Sequence, residues 1–130
     1  MRELTNHNVN GLNDAIIIRV LDDPGPGGAN HEYILVLDPA FEEPNREDHR
    51  LVRSARISFQ KGPIHETRVN GISNEALLAI VEDRLIGFQR GDFSCRENAL
   101  ALTKLQEALH WLHHRTRDRV ARKVEGQNVA

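Results

Sequence analysis

FSCRENALALTKLQEALHWLHHRTRDRVARKVEG, residues 93 to 126, carries the signals of one long helix. Ser94 followed three residues later by Glu97 is a capping box. The serine hydroxyl can accept from the Glu97 backbone N–H while the Glu97 carboxylate reaches back to the Ser94 N–H. From there Leu102, Leu105, Leu109 and Leu112 recur at spacings of three and four, with Ala101 and Ala108 beside them. That is one apolar stripe, and neither Gly nor Pro interrupts it before Gly126. At 1.5 Å per residue, some thirty residues reach about 45 Å, longer than a small domain is wide. Past Leu112 the stripe fades. Arg115, Arg117, Arg119, Arg122 and Lys123 face only Asp118 and Glu125. The pattern predicts a helix that packs at its first half and binds something with its second.

The rest of the composition sets the frame. A chain of 130 residues is expected to form one domain, with residues 1–72 mostly β and 73–126 a helical hairpin. Apolar content of 39% and charged content of 28% suit a water-soluble fold. Aromatic residues are scarce, so Leu, Ile, Val and Ala must build the core. The net charge of −2 argues against a bulk nucleic-acid coat, although the C-terminal third is locally basic. Cys95 is the single cysteine, which excludes an internal disulfide and points to a reducing compartment. The longest apolar run, Ala15 to Ile18, cannot cross a bilayer, and MRELTNHN has no signal-peptide shape. A cytosolic protein is expected, with no membrane partner.

Upstream of the helix the pattern changes. Met1 to Asn13 is polar and is expected to be poorly ordered unless something pins it. AIIIRVL, Ala15 to Leu21, is β-branched and reads as a strand. DDPGPGGAN packs two prolines and three glycines into nine residues, a loop, and Tyr33 to Leu37 follows as the second arm of an antiparallel hairpin. Asp38 to Arg50 is charged and proline-broken, an exposed excursion. Leu51 to Phe59 supplies a third strand, Lys61-Gly62-Pro63 turns the chain, and Ile64 to Ile72 reads as an extended connector with room for a fourth. Ser73 N-caps a first helix whose stripe is Leu77, Ile80, Val81, Leu85 and Phe88, stopped by Gly91. The link from Gly91 to Ser94 is so short that the two helices fold back on each other. The expected class is α+β: a small N-terminal antiparallel sheet followed by a helical hairpin. One small sheet covers only part of two helical stripes, so self-association is the natural way to bury the remainder.

Few residues suggest chemistry. GPGG at Gly25 to Gly28 lacks the Lys-Ser/Thr pair of a phosphate loop and precedes a strand, so it reads as a hairpin turn. His110, His113 and His114 have metal-compatible spacing, and a metal-dependent hydrolase built on His110 and His114 is one reading. The catalytic Glu of an HEXXH helix is missing, however, and Trp111 and Leu112 stand between the histidines. Cys95, at the first turn of a helix, could have a lowered thiol pKa, but no histidine is placed beside it by the sequence. No catalytic triad, carboxylate pair or dinucleotide fingerprint is found, so no enzyme, cofactor or metal is expected.

The basic helix end is the stronger signal. Arg115 and Arg119 are four apart, and Arg122 follows within another turn, so their guanidinium forks can converge on phosphate oxygens. Phe88 and Asn98, on the hairpin bend of a neighbouring subunit, could complete a site: the ring for a base, the carboxamide for a base edge or ribose hydroxyl. The alternatives are a solvated helix end whose cations suit the C-terminal dipole, and a small nucleic-acid-binding regulator. Composition alone does not choose among them.

Three segments together do. FQKGPIHETRVNGISNEALLAIVEDRL (59–85), GFQRGDFSCRENALALTKLQEALHWL (87–112) and RTRDRVARKVEG (115–126) resemble the phage anti-Thoeris sponge family, which shares its helical-hairpin domain with the anti-CBASS sponges. The resemblance implies a protein that makes no chemical change. It would trap a glycocyclic ADP-ribose isomer made by a bacterial TIR enzyme, in the cytoplasm of the infected host. It implies a ligand at a subunit interface of a homodimer, or of a hexamer built as a trimer of dimers, with CBASS cyclic di- or trinucleotides held in separate pockets. The family's phenylalanine and asparagine match Phe88 and Asn98, and its two main arginines match Arg115 and Arg119. Asp92 and Lys123 depart from the pattern; a glycine is usual where Lys123 stands.

Overall fold

Ile16–Val20 (β2) carries the β-branched run, and three strands join it in a meander, each antiparallel to the next. They are Arg2–Leu4 (β1), Glu32–Leu37 (β3) and Ser54–Ser58 (β4), in spatial order β1-β2-β3-β4. The computed structural model describes residues 1–38, 54–123 and 127. It divides into two compact units, Met1–Lys61 and Gly62–Ala130. In the first, Ile16 stands opposite Leu37 and Val20 opposite Tyr33, while Tyr33 also pairs with Ile57 of β4. Val20, 1% exposed, is the most deeply buried large side chain. The Tyr33 and Phe59 rings meet edge to face at 5.6 Å.

The strand boundaries follow the expectation closely, and three local readings are corrected. Met1–Asn13 is ordered: β1 pairs with β2, the His7 ring donates to the Ile16 carbonyl, and Asn10 caps a short helix, Gly11–Asp14 (α1). A polar composition hid this because a strand at a sheet edge needs few apolar side chains. The fourth strand is therefore β1, and not the connector at 64–72. There the chain makes one helical turn, Ile64–Thr67 (α2), entered from Pro63. Gly62 enters this turn at φ 86°, and a Cβ on it would lie 2.7 Å from the Thr67 methyl, so only glycine fits. The excursion expected over residues 38–50 and the first residues of the third strand lie outside the described residues, apart from Asp38.

The loop joining β2 to β3 is held from inside. The Asp22 carboxylate accepts the backbone N–H groups of His31 and Glu32, and the Asn30 amide donates to the Asp22 carbonyl. Burial alone would raise the Asp22 carboxyl, but these donors hold it below its ordinary range. Glu32 is lowered as well, by the Ser58 hydroxyl against a smaller desolvation and then by Arg56. The GPGG stretch forms a 3-10 turn with Gly27 at φ 80° and Gly28 at φ 84°.

In the second unit, Asn74–Arg90 (α3) and Arg96–Ala121 (α4) form the helical hairpin. Ser73 caps α3 by accepting from the Ala76 N–H at 3.1 Å, and Gly91 ends it. The cap of α4 is Cys95, one residue later than the capping box predicts. Its Sγ accepts the Asn98 N–H, while the Ser94 N–H goes to the Gly91 carbonyl and is not left for Glu97. Along α4 the residues turned from solvent are Asn98, Leu102, Leu105, Leu109, Leu112, Thr116 and Arg119, at alternating spacings of four and three. On α3 the covered residues include Leu78, Leu85, Ile86 and Gln89. Ile80, Val81 and Phe88 of the expected stripe stay exposed, because α3 is apolar on more sides than one partner helix covers. At its far end α4 finishes on Lys123 at φ 59°, whose N–H donates to the Val120 carbonyl, the left-handed cap that glycine fits best.

Candidate functional site

The hairpin bend carries the first pair of expected site residues. Phe88 sits on the last turn of α3, 43% exposed, with the Arg84 guanidinium 5.6 Å from its ring centre, one turn back. Asn98 opens α4, half-buried, its backbone N–H spent on the Cys95 cap. Between them the Gln89 side chain grips the backbone of Cys95. Its carbonyl oxygen accepts the Cys95 N–H at 3.1 Å, and its amide donates to the Cys95 carbonyl at 3.2 Å. The bend is fixed by a side chain and not by backbone turn geometry alone, and that grip sets the spacing of Phe88 from Asn98.

The basic end carries the other three, and they are not equivalent. Arg115 is exposed. Arg119 is 7% exposed and donates to the Gln127 carbonyl, eight residues along the chain, at 2.8 Å. Arg122 pairs with Asp118, one turn earlier, at 3.1 Å.

The structure does not bring the two groups together within one chain. Asn98 and Arg115 lie 17 positions apart on one straight element, about 25 Å at the rise of an α-helix. With 26 residues against 17, α4 also outruns α3, so its basic end extends past the start of α3 while Phe88 stays at the bend. A ligand shorter than that span does not touch both groups of one chain.

The other candidates take structural places. The Cys95 thiol is exposed and acts as a helix cap. The rings of His110 and His114 make T-shaped contacts to Trp111, at 5.3 and 5.9 Å. Among the described residues no three of His, Cys, Asp or Glu converge as metal ligands, and no helix is long and apolar enough to cross a membrane. Sequence reasoning passed over Gln89, whose role depends on a bend visible only in three dimensions. It also treated Trp111 only as a spacer between histidines.

The family model described as "Acb2/Tad1, hairpin domain" matches residues 52–117. That stretch encloses Phe88, Asn98 and Arg115, and ends before Arg119 and Arg122. A protein of Bacillus phage SBSphiJ7 named "Thoeris anti-defense 1" is 54% identical over 72 residues, 55% of this chain and 51% of its own. The chain thus spans about half the length of the curated relative it matches.

Proposed function

Because the chain belongs to the Acb2/Tad1 hairpin-domain family, we propose that it is a phage counter-defence protein acting in the cytoplasm of the infected bacterium. It binds a cyclic nucleotide immune signal, a glycocyclic ADP-ribose isomer, and withholds it unchanged. The observation that carries this reading is the separation, within one chain, of Phe88 and Asn98 at the hairpin bend from the arginines at the far end of α4. Phe88 and Asn98 of one copy and Arg115 and Arg119 of another form a complete nucleotide site only when two chains meet, so the working form is a homodimer or a higher assembly of dimers, up to a hexamer. In that site the Phe88 ring stacks on the base, the Asn98 amide reads a base edge or ribose hydroxyl, and the arginines neutralise phosphate. CBASS cyclic di- or trinucleotides would take separate pockets.

Sequestration is stoichiometric, so affinity and slow release matter and turnover does not. Withholding a sub-micromolar signal takes roughly −10 to −12 kcal/mol. Two or three charge-assisted arginine contacts at about 1.5–3 kcal/mol each, with stacking, reach that in an enclosed interface. The relative's name, "Thoeris anti-defense 1", supports this class of role. A nucleic-acid binder would want a net positive charge, and the net charge of −2 weighs against it.

The test is to incubate purified protein with a glycocyclic ADP-ribose isomer, assay free ligand by chromatography, heat-denature, and assay again. Ligand that disappears and returns intact is the expected result. Ligand that returns altered means catalysis, and ligand that never leaves solution means a different target.

A further inference from the structure

We propose that Trp111 is a ligand-contacting residue, the aromatic wall of the arginine half of the site, stacking on the purine of a nucleotide ligand. The inference rests on the sequestration reading and adds to it a residue outside the Phe88, Asn98 and arginine set. Trp111 is the chain's single tryptophan and is 65% exposed. It stands one helical turn before Arg115 and three turns before Arg122, so all three share one strip of α4, beside the leucine face and not on it. It is also level with the start of α3 by length, at the point where α4 outruns α3.

The indole is braced as well as exposed. His110 precedes it and His114 follows it by three, and both rings meet it nearly perpendicular, at 75° and 85°. A ring held in one orientation by its neighbours loses less freedom on stacking than a mobile one. The ligand class follows from what the strip offers. Guanidinium forks recognise phosphate oxygens, and an indole recognises the face of a base. A molecule that presents a flat purine about one helical turn from a phosphate satisfies both at once. Phe88 of the partner copy then takes the opposite face of the same ring.

The single tryptophan makes the test direct. Wild-type protein is titrated with a glycocyclic ADP-ribose isomer while indole emission and calorimetric heat are followed together. Emission should quench along the calorimetric isotherm, Trp111→Ala should lose about 10- to 100-fold in affinity, and Trp111→Phe should recover most of it. Heat of binding with no change in emission, and full affinity in Trp111→Ala, would overturn the proposal and leave the sequestration reading standing. Emission of a buried indole in free protein, unmoved by ligand, would assign Trp111 to an interface between copies and overturn it too. No heat at all removes both readings.

Discussion

Gln89 and Cys95 hold each other across the helical bend: one side-chain amide satisfies both the N–H and the C=O of the residue that caps α4. The bond pair lies between Phe88 and Asn98, so it couples the stability of the turn to the geometry of one half of the proposed site. A helix of 26 residues has to begin at a defined point if residues at both its ends are to meet a ligand, and Gln89 defines that point.

Replacing Gln89 by Glu keeps the acceptor and removes the donor, and replacing it by Ala removes both. The expected cost is about 1 kcal/mol for Glu and about 1–2 kcal/mol for Ala, since the group is partly solvated. Urea unfolding followed by the Trp111 signal measures it. Ligand affinity should fall in the same order. Wild-type stability and affinity in Gln89→Ala would show that the bend is set elsewhere.

Arg115→Ala and Arg119→Ala should separate binding from folding. Arg115 is exposed, so its loss should abolish sequestration and leave the unfolding midpoint unchanged. Arg119 is buried against the Gln127 carbonyl, so its loss should abolish sequestration and also destabilise the protein by about 1–3 kcal/mol. Equal midpoints for the two variants would mean that the Arg119–Gln127 bond contributes nothing, and normal binding by either would remove that arginine from the site.

The sheet should be acid-sensitive. Asp22 and Glu32 have folded pKa values below those of an unfolded chain, so their contribution is present above the ordinary carboxylate range, near pH 4, and is lost as pH falls through the lower folded values. The near-UV signal of Tyr33, the single tyrosine, reports on β3. It should hold steady above about pH 5 and weaken below about pH 4. Asp22→Asn should be less stable at neutral pH and show a shallower acid slope. An unchanged slope would shift the effect to other carboxylates.

What the sequence disclosed and what it hid divide along one physical line. Periodicity and caps are local, so β2, β3, the Ser73 cap, the Gly91 stop and the leucine stripe of α4 were all legible. The errors came where a distant group claimed a local one. Gly91 took the N–H that the Ser94–Glu97 box needed, and β2 recruited a polar N-terminus as a strand. The α3 stripe was misassigned for a related reason: its apolar arc is wider than one face, and only the packed hairpin shows that Leu78 and Ile86 turn in while Ile80 stays out. The spacing of Arg115, Arg119 and Arg122 marked the basic end as a candidate, and the resemblance matched it with Phe88 and Asn98. Nothing in spacing alone relates Phe88 to Arg115, which stand at opposite ends of the hairpin.

That separation yields the sharpest prediction. If each site takes Phe88 and Asn98 from one copy and its arginines from another, Asn98→Ala and Arg115→Ala proteins are each inactive alone, but not together. In a mixed dimer one site gathers both lesions and the other gathers neither, so it is wild type. Random association of equal amounts makes half of the dimers mixed, and about a quarter of all sites should bind with wild-type affinity. Co-expression of the two variants with different tags, purification through both tags and calorimetric titration would count them; the doubly purified dimer should bind one ligand per two chains. A site contained in one chain predicts zero in the same experiment, because every chain then carries a lesion of its own.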